Sequence, residues 1–173
     1  IGNITPVTGA QAAYGLAITN SIQLAIAEIN AAGGILGATV KLSTKDDQGT
    51  PAEAVSGFNS LLSEGASAII GATLSSCTSA ITSLADDEGI VLVTPSSTAD
   101  SITTKDDYVF RSCFKDSFQG EMVAAYAKDQ GWTKAAVLYA TGDTYSSGLH
   151  DSFVKAAEKY GIEIVCEQSS SDT

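Results

Sequence analysis

The stretch from Ala68 to Thr98, AIIGATLSSCTSAITSLADDEGIVLVTPSST, constrains the fold more than any other part of the chain. Ala68–Ile70 is a short apolar run closed by Gly71, and Ile90–Val93 is a second, closed by Thr94-Pro95. Between them one helix is predicted, from Leu74-Ser75-Ser76 through Ile81 and Leu84, with Gly89 as its stop. Strand, helix and strand at this spacing make a right-handed βαβ unit. The polar loops Thr73–Ser76 and Ser96–Thr98 then lie at the carboxyl ends of neighbouring parallel strands, the edge where open α/β sheets bind ligands. Unpaired N–H groups and positive potential at the helix start suit an anion beside Ser75 and Ser76. Either serine also serves as a plain helix cap.

The same alternation runs along the whole chain. Ile1–Thr5 reads as a strand, and Gly15–Ala32 as a helix with Ile18, Ile22, Ala25, Ile26 and Ile29 on one buried face. Gly33-Gly34 stops that helix. Val40–Lys45 is a second strand, Asp46–Gly49 a loop at its end, and Pro51 opens a helix over Ala52–Ser63. Beyond the polar connection Asp100–Asp107, Tyr108–Ser112 alternates like a strand. Asp116-Ser117 then caps a helix reaching Gln130, with Phe118, Met122, Val123 and Tyr126 on one face. Ala135–Tyr139 is a strand, Thr141–Ser147 a loop, Ser147–Tyr160 a helix and Ile162–Glu167 a strand, followed by the polar run Ser169–Thr173. This order predicts an α/β fold, a parallel sheet with helices on both faces.

Charge and motifs remove whole classes of function. A net charge of −11 argues against nucleic acid as a partner. No apolar run approaches the ~20 residues of a membrane helix. Cys77, Cys113 and Cys166 have no CxxC or metal spacing and read as buried free thiols. His150, the only histidine, falls within a predicted helix and reads as a solvated residue. GxSxG, a glycine-rich phosphate loop and a metal-ligand cluster are all missing. A hydrolase or transferase built on Ser75 or Ser76 therefore lacks a recognisable base, and no enzyme activity, metal or cofactor is expected.

Six residues fall in loops at the carboxyl ends of predicted strands: Tyr14, Asp47, Ser75, Ser76, Thr98 and Tyr145. Hydroxyls and helix-start N–H groups suit a carboxylate. The Thr98 hydroxyl and nearby carbonyls suit an ammonium, and the two rings can cover a small zwitterion. Each residue has a plainer reading too. The tyrosines pack or face solvent, Asp47 with Asp46 forms a solvated turn or caps the helix at Pro51, and Thr98 bonds its own loop.

Together these segments resemble the type 1 periplasmic binding proteins, in the branch that binds leucine, isoleucine and valine for ABC importers. The resemblance rests on TGAQAAYG at 8–15, AIAEINAAGGILG at 25–37, DDQGTPAEAV at 46–55 and IIGATLSSCTSA at 69–80. It continues through DEGIVLVTPSST at 87–98, FRSCFKDSFQGE at 110–121 and GDTYSSGL at 142–149. It implies two α/β lobes with an amino acid clamped between them. It also assigns roles: Ser75 and its N–H to the ligand carboxylate, Thr98 to carboxylate and ammonium, and the Ser96 carbonyl to the ammonium. Tyr14 falls at the cleft mouth, Tyr145 covers the ligand from the second lobe, and Leu74 lines the side-chain pocket beside Ser75. Ser76 stays a candidate through its place at the helix start.

The resemblance further implies that residues 1–116 form most of the first lobe and 117–173 the opening of the second. The acidic residue that pairs with the ammonium would lie beyond Thr173, so the chain reads as the opening piece of a longer protein and is expected to bind poorly or not at all by itself. The expected function is capture of a small, aliphatic amino acid outside the membrane and delivery to an ABC permease. Membrane attachment is expected only through a lipid anchor outside this chain. A ligand-binding sensor domain for amino acids, other small acids or amides is the alternative.

Overall fold

The computed structural model describes residues 1–104 and 108–171, so the end of the connection predicted at Asp100–Asp107 and the last residues of the Ser169–Thr173 run lie outside the described residues. The chain divides into two compact units, Ile1–Ser97 with Ile102–Cys113, and Thr98–Ser101 with Phe114–Thr173.

The first unit is built on strands β1 (Gly2–Thr5), β2 (Ser43–Asp46), β3 (Ala68–Ile70), β4 (Val91–Thr94) and β5 (Val109–Arg111). They form one parallel sheet in the order β2-β1-β3-β4-β5. Helices α1 (Ala12–Ala31), α2 (Pro51–Ser63), α3 (Ser75–Ser79) and α4 (Thr82–Asp87) connect the first four strands. In this order the chain leaves β1 for one neighbour and returns to the other side of it at β3. That reversal makes the β1/β3 crevice at the carboxyl edge the place where a doubly wound sheet takes a ligand. Ile4, Phe58, Leu61, Ile69, Ile81 and Leu92 are fully buried around the sheet. Gly71 closes β3 at φ +142°, and a Cβ there would lie 2.4 Å from the Ile4 carbonyl oxygen, so strand β1 presses directly on its backbone. The Gly71–Ala72 peptide is cis.

Several local expectations shift, each for a visible reason. The strand predicted at Val40–Lys45 is Ser43–Asp46. Val40 gives its N–H to Asn30 Oδ1 at 2.8 Å and its carbonyl takes Asn30 Nδ2 at 2.9 Å, so a side chain uses the groups a ladder would need. The single helix predicted after β3 is two short ones, α3 and α4. Thr78 turns its hydroxyl back on the Leu74 carbonyl, 3.1 Å away, and Thr82 does the same to Ser79 at 3.2 Å; such back-bonding bends or breaks a helix. Helix α1 begins before Gly15, and of its predicted face Ile22 is buried, Ile18 and Ile26 are half-buried, and Ala25 and Ile29 are exposed. The connection after Asp100 contains a 3-10 turn, Asp100–Thr103.

The second unit pairs strands β6 (Lys134–Ala140) and β7 (Glu163–Ser170) in parallel, with helices α5 (Asp116–Asp129) and α6 (Thr144–Tyr160). β7 runs on through Ser170, past the predicted end at Glu167. The buried stripe of α5 is Asp116, Gly120, Ala124 and Ala127, not Phe118, Met122, Val123 and Tyr126, which are exposed among the described residues. Close packing explains the choice: a Cβ on Gly120 would lie 2.6 Å from the Ser152 carbonyl carbon and 2.7 Å from the Phe153 nitrogen of α6. Only small residues fit where two helix backbones approach so closely, and Ala124, Ala127, Ala156, Ala157 and Ile162 make the core. The cap of α5 also differs from Asp116-Ser117. Lys115 holds the cap position, and the Asp100 carboxylate accepts the Ser117 N–H at 2.8 Å and its hydroxyl at 2.6 Å. Among the described residues no helix is long and apolar enough to cross a membrane.

Candidate ligand-binding edge

The carboxyl edge of the first unit's sheet is lined by hydroxyls that bond to one another and to strand-end carbonyls. At the β1/β3 crevice Thr5 Oγ1 and Thr73 Oγ1 are 2.6 Å apart, both buried. Between the β3 and β4 ends, the Ala72 carbonyl accepts Thr94 Oγ1 at 2.8 Å, Thr78 Oγ1 at 3.0 Å and Ser97 Oγ at 3.2 Å. The Thr73 carbonyl accepts Ser96 Oγ at 2.7 Å. Arg111, at the end of β5, donates Nη1 to the Ser97 carbonyl at 2.9 Å and holds Thr103 Oγ1 with Nε and Nη2. Buried polar groups satisfied in this way are stiff, because breaking one bond leaves a desolvated partner.

Onto this edge the chain brings Leu74, Ser75, Ser76 and Ser96. Leu74, not a serine, is the cap residue of α3, and its side chain makes no capping bond, so neither Ser75 nor Ser76 is the plain cap. Ser75 is the first residue of α3 and is buried; Ser76 follows it, half-buried. Ser96 is bonded to the Thr73 carbonyl just ahead of them. Tyr14 lies in the first turn of α1 rather than in a loop, 64% exposed.

Thr98 and Tyr145 belong to the second unit. Thr98 is buried, and its carbonyl accepts the Asp116 N–H at 2.9 Å. Tyr145 is in the first turn of α6, not in the predicted loop, because Asp143 caps that helix through the N–H groups of Tyr145 and Ser146.

The two adjacent carboxylates after β2 have opposite environments. Asp46 feels some desolvation, but it accepts the Thr8 hydroxyl and the N–H groups of Gln48, Val7 and Thr8, and these together hold its carboxyl below the usual range. Asp47 is fully buried rather than a solvated turn. Burial pushes its carboxyl up, and the Asp46 charge adds to that against the N–H groups of Gly49 and of Asp47 itself. It does not cap the helix at Pro51 either: Thr50 does, through the Glu53 N–H. Burial, and the nearby Asp47 charge, push the Cys77 thiol up to about 12, so it is inert at neutral pH. Of the three cysteines only Cys77 is buried; Cys113 is half-buried and Cys166 exposed. His150 is not solvated: its side chain is 11% exposed, stacked on the Tyr139 ring at 3.9 Å, with Nδ1 2.9 Å from Asp151 and Nε2 3.2 Å from Glu167. Among the described residues no cluster of His, Cys, Asp or Glu could hold a metal.

Sequence reasoning singled out the two polar loops but not the residues that stiffen them: Thr5, Thr78, Thr94, Ser97 and Arg111. A signal was present. Thr5 and Thr94 are each the last residue of a strand, where a hydroxyl can reach the sheet edge.

A profile of the periplasmic binding protein family matches residues 1–171. A Leu/Ile/Val-binding protein homologue from Brucella melitensis is 35% identical over 164 residues, 94% of this chain and 44% of its own length. The substrate-binding protein of a branched-chain amino acid transporter from Streptococcus pneumoniae, solved with isoleucine, is 36% identical with a TM-score of 0.89 over 98% of this chain and 48% of its own. A leucine-binding protein from Thermotoga maritima is 30% identical with a TM-score of 0.90 over 99% of this chain and 49% of its own. The chain thus spans about half the length of the relatives it matches. The family profile spans nearly the whole chain, and the chain belongs to the periplasmic binding protein family.

Proposed function

We propose that the full-length protein captures a small aliphatic amino acid of the branched-chain kind and presents it to an ABC permease. The observation that carries this is the hydroxyl edge at the β3 and β4 ends, with Ser75 at the start of α3 and Ser96 bonded to the Thr73 carbonyl just ahead of it. An edge of hydroxyls and backbone groups suits the carboxylate of an amino acid. Relatives named for leucine, isoleucine and valine support the ligand class. Residues 1–116 would supply the first lobe and 117–173 the start of the second. Ser75 and Ser76 would hold the carboxylate, Thr98 the carboxylate and ammonium, and the Ser96 carbonyl the ammonium. Leu74 would line the side-chain pocket, and Tyr14 and Tyr145 would cover the ligand. The protein would act outside the cytoplasmic membrane, in the periplasm or anchored by a lipid at a cell surface, with lobe closure as the signal read by the permease.

Calorimetric titration of the full-length protein with leucine, isoleucine and valine tests the reading. Saturable binding is expected, with Ser75→Ala weakening it by at least about tenfold, as loss of a hydrogen bond to a charged group does. Absence of binding to every amino acid overturns it.

A further inference from the structure

We propose that Thr78 is a positioning residue for ligand capture, and this rests on the amino-acid-binding reading above. Thr78 is fully buried on α3, the helix that opens with Ser75. Its hydroxyl lies 3.1 Å from the Leu74 carbonyl, 3.0 Å from the Ala72 carbonyl and 2.6 Å from Ser97 Oγ. One atom therefore meets the turn before α3, the end of β3 and the loop after β4.

Proton counting shows what that atom contributes. Thr94 Oγ1 accepts the Ser97 N–H at 3.1 Å and donates to Ala72, and Ser96 Oγ donates to Thr73. Thr78 and Ser97 have one hydroxyl proton each, and one of them must donate to the other across 2.6 Å. The acceptor then passes its own proton to a carbonyl: Thr78 to Ala72 or Leu74, or Ser97 to Ala72 or Thr73. Both arrangements are complete, and both tie α3 to the loop that carries Ser96. Remove the Thr78 oxygen, and Ser97 still reaches Ala72 at 3.2 Å and Thr73 at 3.3 Å, so no buried donor is stranded. The tie between Thr78 and the Ser97 loop is lost while the strand ends stay bonded. Folding should feel this far less than the spacing of Ser75 from Ser96 does.

The test is titration of the full-length protein with leucine, isoleucine and valine in four forms: wild type, Thr78→Val, Thr78→Ser and Thr78→Val combined with Ser75→Ala. Thr78→Val keeps the shape and deletes the hydroxyl; it should bind about tenfold more weakly, the scale of one displaced hydrogen bond. Thr78→Ser keeps the hydroxyl and should stay within about threefold of wild type despite the lost methyl. In the Ser75→Ala background Thr78→Val should add almost nothing, since a residue acting through Ser75 is silent once Ser75 is gone. Losses that simply add, or a Thr78→Val protein that binds like wild type, overturn the proposal and leave the amino-acid reading standing. A wild type that binds no amino acid overturns both. If Thr78→Val does not fold, Ser97→Ala removes the same 2.6 Å bond from the other side and is read by the same criteria.

Discussion

The sheet edge of the first unit and the helix pair of the second place side chains by opposite rules. In the first unit large apolar residues such as Phe58 and Leu61 fill the interior, and hydroxyls collect where strands end. In the second unit the α5/α6 seam is alanine and glycine, with Ile162 the one large buried side chain of the core, and the large residues Phe114, Phe118, Met122 and Tyr126 face outward among the described residues. A sheet keeps its helices at a distance that long side chains must fill. Two helices whose backbones touch, as at Gly120, leave no room for them. Chemistry in the first unit is therefore held by a stiff, satisfied polar net, whereas α5 offers an apolar surface and no such net.

The sharpest way to break that contrast is to truncate the same side chain in each unit. Phe58 is 0% exposed on α2 and Phe118 is 58% exposed on α5. Phe58→Ala should lower the unfolding free energy by about 3–5 kcal/mol, the usual cost of a core phenylalanine. Phe118→Ala should change it by less than about 1 kcal/mol. Denaturant melts followed by far-ultraviolet dichroism, alongside fluorescence of Trp132, the only tryptophan, measure both. Equal losses would mean that the outward face of α5 is buried in solution.

Gly120 sharpens the contrast with a change in the other direction. Its Cβ position meets helix backbone rather than the end of a flexible side chain, so Gly120→Val forces α5 and α6 apart. We expect a loss of about 1–3 kcal/mol, as overpacking usually costs. The signal should appear first in Trp132, which stacks edge-on against Tyr126 of α5 at 5.8 Å between ring centres. A value-neutral Gly120→Val would show that the helices do not pack this closely.

How far the sequence discloses this molecule depends on whether local pattern or tertiary packing decides. The positions of β3 and β4 follow from apolar runs bounded by glycine, whereas the polar β2 is displaced by the Asn30 side chain, and the ligand edge follows from where the apolar runs stop. The face of α5 does not, because Phe118, Met122, Val123 and Tyr126 form as regular a stripe as Gly120, Ala124 and Ala127, and only the neighbour α6 selects between them. The break between α3 and α4 was open to reading, since Thr78 and Thr82 are four apart and both can back-bond. The half-burial of His150 was not, for its partners Tyr139 and Glu167 are on separate strands. At the edge itself loop position and resemblance point to Ser75, Ser76 and Ser96, while the roles of Thr78 and Ser97, which lie within the same segments, emerge only from their contacts.

The smallest effect is expected from the two neighbouring carboxylates, which repeat the contrast between satisfied and stranded polar groups within one turn. Asp46 accepts four donors and its carboxyl titrates low; Asp47 is buried with one Gly49 N–H bond on Oδ1, Oδ2 has no hydrogen-bond partner, and its carboxyl titrates high. For Asp46 the folded state holds its proton less tightly than the unfolded chain. Its stabilisation is present above the ordinary value of 3.8 and is lost as pH falls through the lowered folded value. For Asp47 the folded state holds the proton more tightly. Its ionisation therefore destabilises the fold, and stability falls as pH rises from 3.8 through the raised folded value. At neutral pH Asp46→Asn should cost about 1 kcal/mol once solvent screening is allowed for, and the difference from wild type should fade in acid. Asp47→Asn keeps an oxygen for Gly49 and removes the buried charge, so it should match or exceed wild-type stability at pH 7 and lose that advantage near pH 4. Thermal melts of both variants across pH 3–8 read the crossing directly. If Asp47→Asn were the more destabilising of the two at neutral pH, the buried carboxylate would have to be paired with a cation rather than stranded.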